Sequence, residues 1–435
     1  MKKYFFLLML FLFSMSAAQV TIFGLRVYAD NDEYLPPIIM KDIGGITIEF
    51  DVITSFAPNL SIQFEHVDRN WQRGKNNLLN DEIKLLARDL RYIAAPNGVQ
   101  NYTFHFYNSF PNSKNTVQFE YSGNYIFRIL DVENNYAVVA EGKFIVVENI
   151  VPTNMNIKNT LYPSDASPWN QRLTITVDVS SPKMYVAADN NSVMSQLIKH
   201  VDIIENWNIE FPYSIDTDNR SADTFVENYL KPQKQFWIRS VQPGNEYRRL
   251  DLSNITKYPN RQTARFADGA DVSRVLWQGK QDANGAAKLR PFTGANSDYL
   301  DVLMRLTLPK RLEKNIYLVG AFNQWQPDTN YQMLYDSTIS QYQRIIRVKR
   351  GVYDYQYVTA KYNEQRNIFS DENWFELEGN DWRTINRYTA LVYYHDERFG
   401  GYDRIIGIST AKNPGGDLGK SINSIRQENS NGVTY

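Results

Sequence analysis

Apolar and polar residues alternate with period two through most of this chain, the signature of half-buried strands. In the first third, residues 47–52 (Thr-Ile-Glu-Phe-Asp-Val) and 60–65 (Leu-Ser-Ile-Gln-Phe-Glu) follow it closely. Residues 117–121 alternate as well. Ser122-Gly123-Asn124 then reads as a turn, residues 125–130 as the returning strand, and 143–147 as the strand that closes the unit. One segment breaks the period: Leu79, Ile83, Leu86 and Leu90 recur at helical spacing and predict a helix over 78–90. About seven short strands over roughly 130 residues suit an immunoglobulin-like sandwich.

The remaining chain divides by its punctuation. Residues 150–167 are polar and broken by Pro152 and Pro163, with Pro168 just beyond, and read as a boundary. Residues 172–179 alternate, and 236–239 and 273–277 read as further strands, whereas 180–235 shows few clean alternations. The clearest run comes last. Four strands are expected at 299–306, 316–319, 343–348 and 351–358, with 387–394 extending the same unit. From Ser409 onward Gly, Asn, Ser and charge predominate, which predicts a disordered tail. No internal repeat of 20–50 residues is evident. The expected organisation is a leader at 1–18, an immunoglobulin-like sandwich at 19–150, a second β-rich domain at 151–297, a C-terminal sandwich at 298–408 and a tail at 409–435. The fold class is all-β, tandem sandwiches with few short helices.

Composition supports this. The 435 residues include 29 Tyr and 23 Phe, which favour strands, and the length calls for two or three domains. Lys and Arg (47) nearly balance Asp and Glu (48), so no basic footprint for nucleic acid is present. Met1-Lys2-Lys3, an apolar run over 4–13 and the small residues of Ser14-Met15-Ser16-Ala17-Ala18 form a secretory signal with cleavage expected before Gln19. The run is too short for a membrane span. Cysteine is absent, which excludes disulfides, thiolate metal sites, cysteine nucleophiles and a cysteine-linked lipid anchor. The mature chain is therefore expected outside the cytoplasm, without a transmembrane segment.

Candidate chemistry is sparse. His66, His105, His200 and His395 show no metal-ligand spacing, and no G-x-S-x-G elbow is present. Asp282-Ala283-Asn284-Gly285 could begin a calcium loop, but Thr293 stands where the bidentate acid belongs, so a tight turn is the better reading. No catalytic, cofactor or metal residue is assigned, and no cofactor is expected. Aromatic residues are the serious binding candidates. Phe322 and Trp325 flank a turn, and Tyr353, Tyr355 and Tyr357 share one strand face. They form either a stacking platform for sugar rings or sandwich core.

Two resemblances bear on that choice. Gly320-Ala321-Phe322-Asn323-Gln324-Trp325 followed by Gly351-Val352-Tyr353-Asp354-Tyr355-Gln356-Tyr357 looks like the early-set module of starch-acting enzymes. That likeness implies, as the alternative reading, a periplasmic carbohydrate-binding protein. A wider set of strings resembles the plug proteins of the type IX secretion system: His66-Val67-Asp68-Arg69-Asn70-Trp71, Ser122-Gly123-Asn124-Tyr125, Gly244-Asn245-Glu246-Tyr247-Arg248, Asp282-Ala283-Asn284-Gly285, the Gly351 string, Glu378-Gly379-Asn380, and Val392-Tyr393-Tyr394 with Gly401-Tyr402-Asp403-Arg404-Ile405-Ile406-Gly407. Val67 stands where the family pattern tends to place a cysteine. This second resemblance spans about 20–407. It implies a non-enzymatic periplasmic protein that binds the periplasmic side of a large outer-membrane β-barrel translocon and plugs it when idle. Cargo of that route carries a C-terminal sorting domain. Residues 412–435 are too short and polar to be one, so the protein is expected to stay in the periplasm.

Overall fold

A computed structural model describes residues 20–74, 77–81, 83–112, 117–160, 172–180, 195–227, 233–266, 269–274, 282–289 and 294–414. The expected leader at 1–18 and residues 415–435 of the expected tail lie outside these. The protein is all-β, and its helical turns are short 3-10 segments.

The first unit is a sandwich of two sheets. One runs in the order Ile22–Ala29, Ile46–Val52, Phe104–Phe110, Tyr92–Ala94. The other runs Ile38–Met40, Ala137–Val147, Gly123–Asp131, Leu60–Val67, Leu86–Ala87. Ile46, Ile48, Phe50 and Val52 meet Ile62, Phe64, Phe127 and Phe144 between them. Alternation in Ile46–Val52 predicts a solvated outer face, yet Thr47, Glu49 and Asp51 are buried too. Glu49 and Asp51 there hold polar partners, described below, that reach into the third unit.

Three local expectations for this unit are corrected. The predicted helix over 78–90 is only a 3-10 turn at Asn77–Leu79. Leu78 and Ile83 are exposed, Asp81 accepts the Ile83 N–H at 2.9 Å, and Leu86–Ala87 pairs with Gln63 and Ile62. The helical spacing therefore marks no continuous apolar face. Residues 117–121 bury Val117 and Phe119 but make no ladder. Ser122-Gly123-Asn124 is not a turn: Gly123 begins the Gly123–Asp131 strand, paired with Val146.

The second unit stacks the sheet Thr153–Thr160, Arg172–Ser180, Gln233–Val241, Thr224–Glu227 against the sheet Tyr213–Asp216, Ile198–Glu205, Arg387–Asp396, Tyr402–Lys412. Part of the expected polar boundary at 150–167 is thus a strand, because Met155 and Ile157 alternate inward against Ile175 and Val177. The third unit is a ten-stranded sheet centred on Val352–Asn363, Asn315–Gly320, Gln332–Asp336, Gln341–Lys349 and Tyr299–Thr307. Residues 387–394 were expected to extend this unit. Instead they pair with Ile198–Glu205, with Val392 opposite Val201 and Ala390 opposite Ile203, and their apolar face joins the second core. The chain therefore leaves the second unit after Val241, builds the third, and returns. Ser409 to Lys412, expected in the tail, complete the last strand. Of residues 273–277, Ser273 and Arg274 lie outside any strand, and 275–277 lie outside the described residues.

Candidate functional site

The Gly320–Trp325 turn shows how a sequence motif becomes core. Gly320 sits where a Cβ would meet the Asp354 carbonyl oxygen at 2.6 Å, so only glycine fits. Asn323 accepts the Gly320 N–H at 2.9 Å, and its Nδ2 donates to the carbonyls of Leu318 and Gln326. Gln324 and Trp325 take positive φ of 55° and 61°. This folds the indole inward, where it is 1% exposed, donates from Nε1 to the Gly285 carbonyl at 2.9 Å and packs 4.4 Å from the Tyr247 ring. Tyr353, Tyr355 and Tyr357 are likewise buried. The hydroxyls of Tyr355 and Tyr357 both donate to Asp271 Oδ2, at 2.7 and 2.8 Å. Phe322 stacks on Tyr331. None of these four buried rings is a platform for sugar.

The histidines build no shared metal site, although His66, His200 and His395 all lie within electrostatic reach of Asp403. His66 is buried on the Ser122 carbonyl, and its pKa is lowered by burial. His105, His200 and His395 face Asp51, Asp216 and Asp403 respectively. Among the described residues no three His, Cys, Asp or Glu gather in a way that could hold a metal. Asn284 and Gly285 take φ of 51° and 91°, the tight turn that Asn-Gly prefers.

The organised polar chemistry lies where units meet. At the first–third junction, Asp51 accepts from Tyr299 Oη (2.7 Å) and Lys349 Nζ (2.8 Å) and pairs with His105 Nδ1 (2.7 Å). Burial alone would raise its pKa, but His105 and Lys349 bring it below the ordinary carboxylate value. Arg26 pairs with Glu33 (2.7 Å) and Glu49 (2.5 Å) and donates to the Ala287 carbonyl at 3.0 Å, while Glu33 accepts the Leu289 N–H at 3.1 Å. The Asp298 carboxylate receives the Gln100 and Asn101 N–H groups. At the first–second junction, Arg69 meets Asp202 at 3.2 Å, Arg404 meets Glu148 at 2.5 Å, and Tyr393 donates to Asn124 at 3.0 Å. At the second–third junction, Asn206 donates to Tyr247 Oη and Asn386 Oδ1, and Glu246 accepts from Thr384. Inside the third unit, Glu378 binds both Arg248 and Arg274. Sequence reasoning missed this framework. Its only signal is acids and arginines set within otherwise alternating strands, which reads as an ordinary solvated face.

One junction group carries a pH signature. Glu205 accepts from Tyr213 Oη (3.1 Å) and Asn386 Nδ2 (2.9 Å), and burial pushes its carboxyl up to about 8. Between the unfolded value of about 4.3 and this folded value, the native state holds a proton that the unfolded state has lost. Stability therefore falls as pH rises through that window. Glu205→Gln removes the ionisation, and Tyr213 can turn its hydroxyl to accept the new amide. Melting temperature is expected to drop from pH 6 to pH 8.5 in the native protein and to drop less in the variant. Parallel curves would show that Glu205 is ionised in the fold.

The geometry first defines a class: an all-β body of sandwich units joined through buried polar networks. Family comparison then narrows it. Residues 22–148 match the family model described as "Type 9 secretion system plug protein 1st domain". The resemblance to the type IX plug family read from the sequence is thereby shown, and the match supports a plug-like role in that secretion system. A hypothetical protein from Parabacteroides merdae ATCC 43184, known from a crystal structure, is similar in fold, with a TM-score of 0.68 at 21% identity over 90% of this chain and 97% of that one. At that identity the likeness shows the fold alone. A marsupial T cell receptor aligns over 82% of this chain and all of its own at 10% identity, but its TM-score of 0.16 carries no argument. No curated protein matches the chain.

Proposed function

We propose that this protein is a non-enzymatic, periplasmic component of the type IX secretion system that binds the periplasmic side of the outer-membrane translocon barrel and closes it when idle. The observation that carries this is the plug-family match over the first sandwich. The junctions support it. A plug needs bulk that does not deform, and buried ion pairs such as Arg26–Glu49 and Arg404–Glu148 link neighbouring strands and units within that bulk. A sandwich of about 100 residues has a radius of gyration near 13 Å, so three fixed together could obstruct a protein-sized pore. No helix among the described residues is long and apolar enough to cross a membrane, which fits a peripheral association through the partner. Export through a cleaved signal at 1–18 supplies the route to the periplasm.

The carbohydrate reading loses its motive, because Trp325 and the three tyrosines of its motif are core. A tagged protein expressed at native level is expected to co-purify with the type IX barrel from cells in which export is stalled, and to be reduced on barrels occupied by cargo. Failure to recover the barrel in both states would sink the proposal.

A further inference from the structure

Where the three units meet, they enclose a cleft with a volume of about 410 Å³. Tyr34 comes from the first unit, Trp207 and Arg387 from the second, and Arg249, Asp282 and Asn284 from the third. The two arginines differ from most of the charged residues at the junctions. Arg26 and Arg404 at the junctions, like Arg248 and Arg274 inside the third unit, are buried against acids. In the Arg248–Asp251 strand, Arg248 turns inward to Glu378, and Arg249 therefore faces outward to the cleft. The Arg249 and Arg387 guanidiniums have no hydrogen bond or ion pair among the described residues.

Their positions are nonetheless fixed. The Arg387 N–H donates to Asn206 Oδ1 at 2.9 Å, and its carbonyl accepts the Asn206 N–H at 2.8 Å. Asn206 is itself buried and takes a φ of 53°, which sets Trp207 beside Arg387. Trp207 packs against the Tyr247–Trp325 cluster and also lines the cleft. Arg249 stands opposite Asp354 across the ladder.

The acids nearby are already engaged. Asp282 accepts the Tyr247 and Asn284 N–H groups at 2.5 and 2.7 Å. Burial, with Asp354 and Glu246 alongside, raises the pKa of its carboxyl, whereas Arg249 is among the groups that work to lower that of Asp354. Asp354 Oδ2 receives the Ala283 and Gly285 N–H groups at 2.7 and 2.9 Å. One acceptor is left over: Asn284 lines the cleft, and its buried Oδ1 has no hydrogen-bond partner. An orphaned buried acceptor of this kind calls for a donor.

We propose that this cleft binds a short acidic peptide segment, with a Glu or Asp carboxylate held by Arg249 and Arg387, a peptide N–H donated to Asn284 Oδ1, and the chain laid against Trp207 and Tyr34. Guanidinium groups match carboxylates in geometry as well as charge. The volume sits at the low end of the ~300–1,000 Å³ typical of small-ligand sites, enough for a short segment and too small for a folded domain. A free anion would satisfy the arginines but not the orphaned acceptor or the aromatic walls. The site does not depend on the plug reading, since it is a property of the isolated chain.

Calorimetric titration of the purified protein at low ionic strength tests this with four probes: the capped peptide acetyl-Gly-Glu-Asp-Gly-amide, its Gln-Asn counterpart, succinate and inorganic phosphate. The acidic peptide is expected to bind about tenfold or more tightly than the other three, and Arg249→Gln and Arg387→Gln are each expected to weaken it by about the same factor. Arg387 has no ion pair among the described residues, so Arg387→Gln is expected to keep its melting temperature, whereas Arg249→Gln removes a charge that favours ionised Asp354 and is expected to lower it slightly. No heat from the acidic peptide, equal binding of the amide peptide, or indifference to both substitutions overturns the proposal. Succinate or phosphate binding as tightly as the peptide also overturns it, in favour of a simple anion pocket. None of these outcomes bears on recovery of the barrel, so the two readings can fail separately.

Discussion

Glu378→Ala is expected to cost about 3–5 kcal/mol of folding stability, enough to leave much of the protein unfolded under mild denaturant. Glu378 is 2% exposed at the centre of the third unit. Its carboxylate accepts from Arg248 Nε at 3.0 Å, from Arg274 Nη2 at 2.6 Å and from the Tyr357 N–H at 2.8 Å. Burial pushes this carboxyl up, but Arg248 and Arg274 more than reverse the effect and hold it below its ordinary value. Truncation strands two buried guanidiniums and an N–H. Arg248 keeps Asp271 at 3.2 Å and the Val272 carbonyl, whereas Arg274 loses its carboxylate outright. Urea unfolding followed by tryptophan fluorescence measures the loss. Glu378→Gln, which keeps the shape without the charge, is expected to fall between. A midpoint for Glu378→Ala that implies less than about 1 kcal/mol would show that the arginines find other partners.

Trp325→Ala is expected to cost a similar amount, about 3–5 kcal/mol, for a different reason. The indole fills the cluster of Tyr247, Tyr317, Val319 and Val358. The Gly285 carbonyl also loses its donor. The same unfolding measurement applies, and Trp325→Phe separates the two contributions, because it restores most of the volume but not the hydrogen bond. A nearly unchanged midpoint for the alanine variant would show that the ring is not core, and would return the sugar-platform reading to contention.

The strands were legible in the sequence because each carries its own pattern. Residues 299–306, 316–319 and 343–348 alternate or run apolar, and each lies within an observed strand. Partnership was less legible. Nothing local in residues 387–394 says whether they pair with the strand before them in sequence or with Ile198–Glu205. That choice depends on the fit of Ala390 and Val392 to a distant core. The helix expected near Leu79 failed for a related reason: spacing records where apolar residues fall, not which of them are buried, and Ile83 is 77% exposed. The junctions were least legible of all. Asp51, Asp298 and Glu205 look in sequence like solvated strand or loop acids. They acquire meaning only when a second unit closes over them, and Arg249 and Arg387 only when three units do.

The route of the chain through the second and third units has a mechanical corollary. The third unit leaves the second after Val241 and rejoins it at Arg387, so two separate covalent strands of chain hold it in place. A protease that cuts either connector leaves the other intact, and the severed piece stays attached. Nor can the unit swing out on one linker as a flap would. If the body is lifted from whatever surface it covers, the second and third units must travel together.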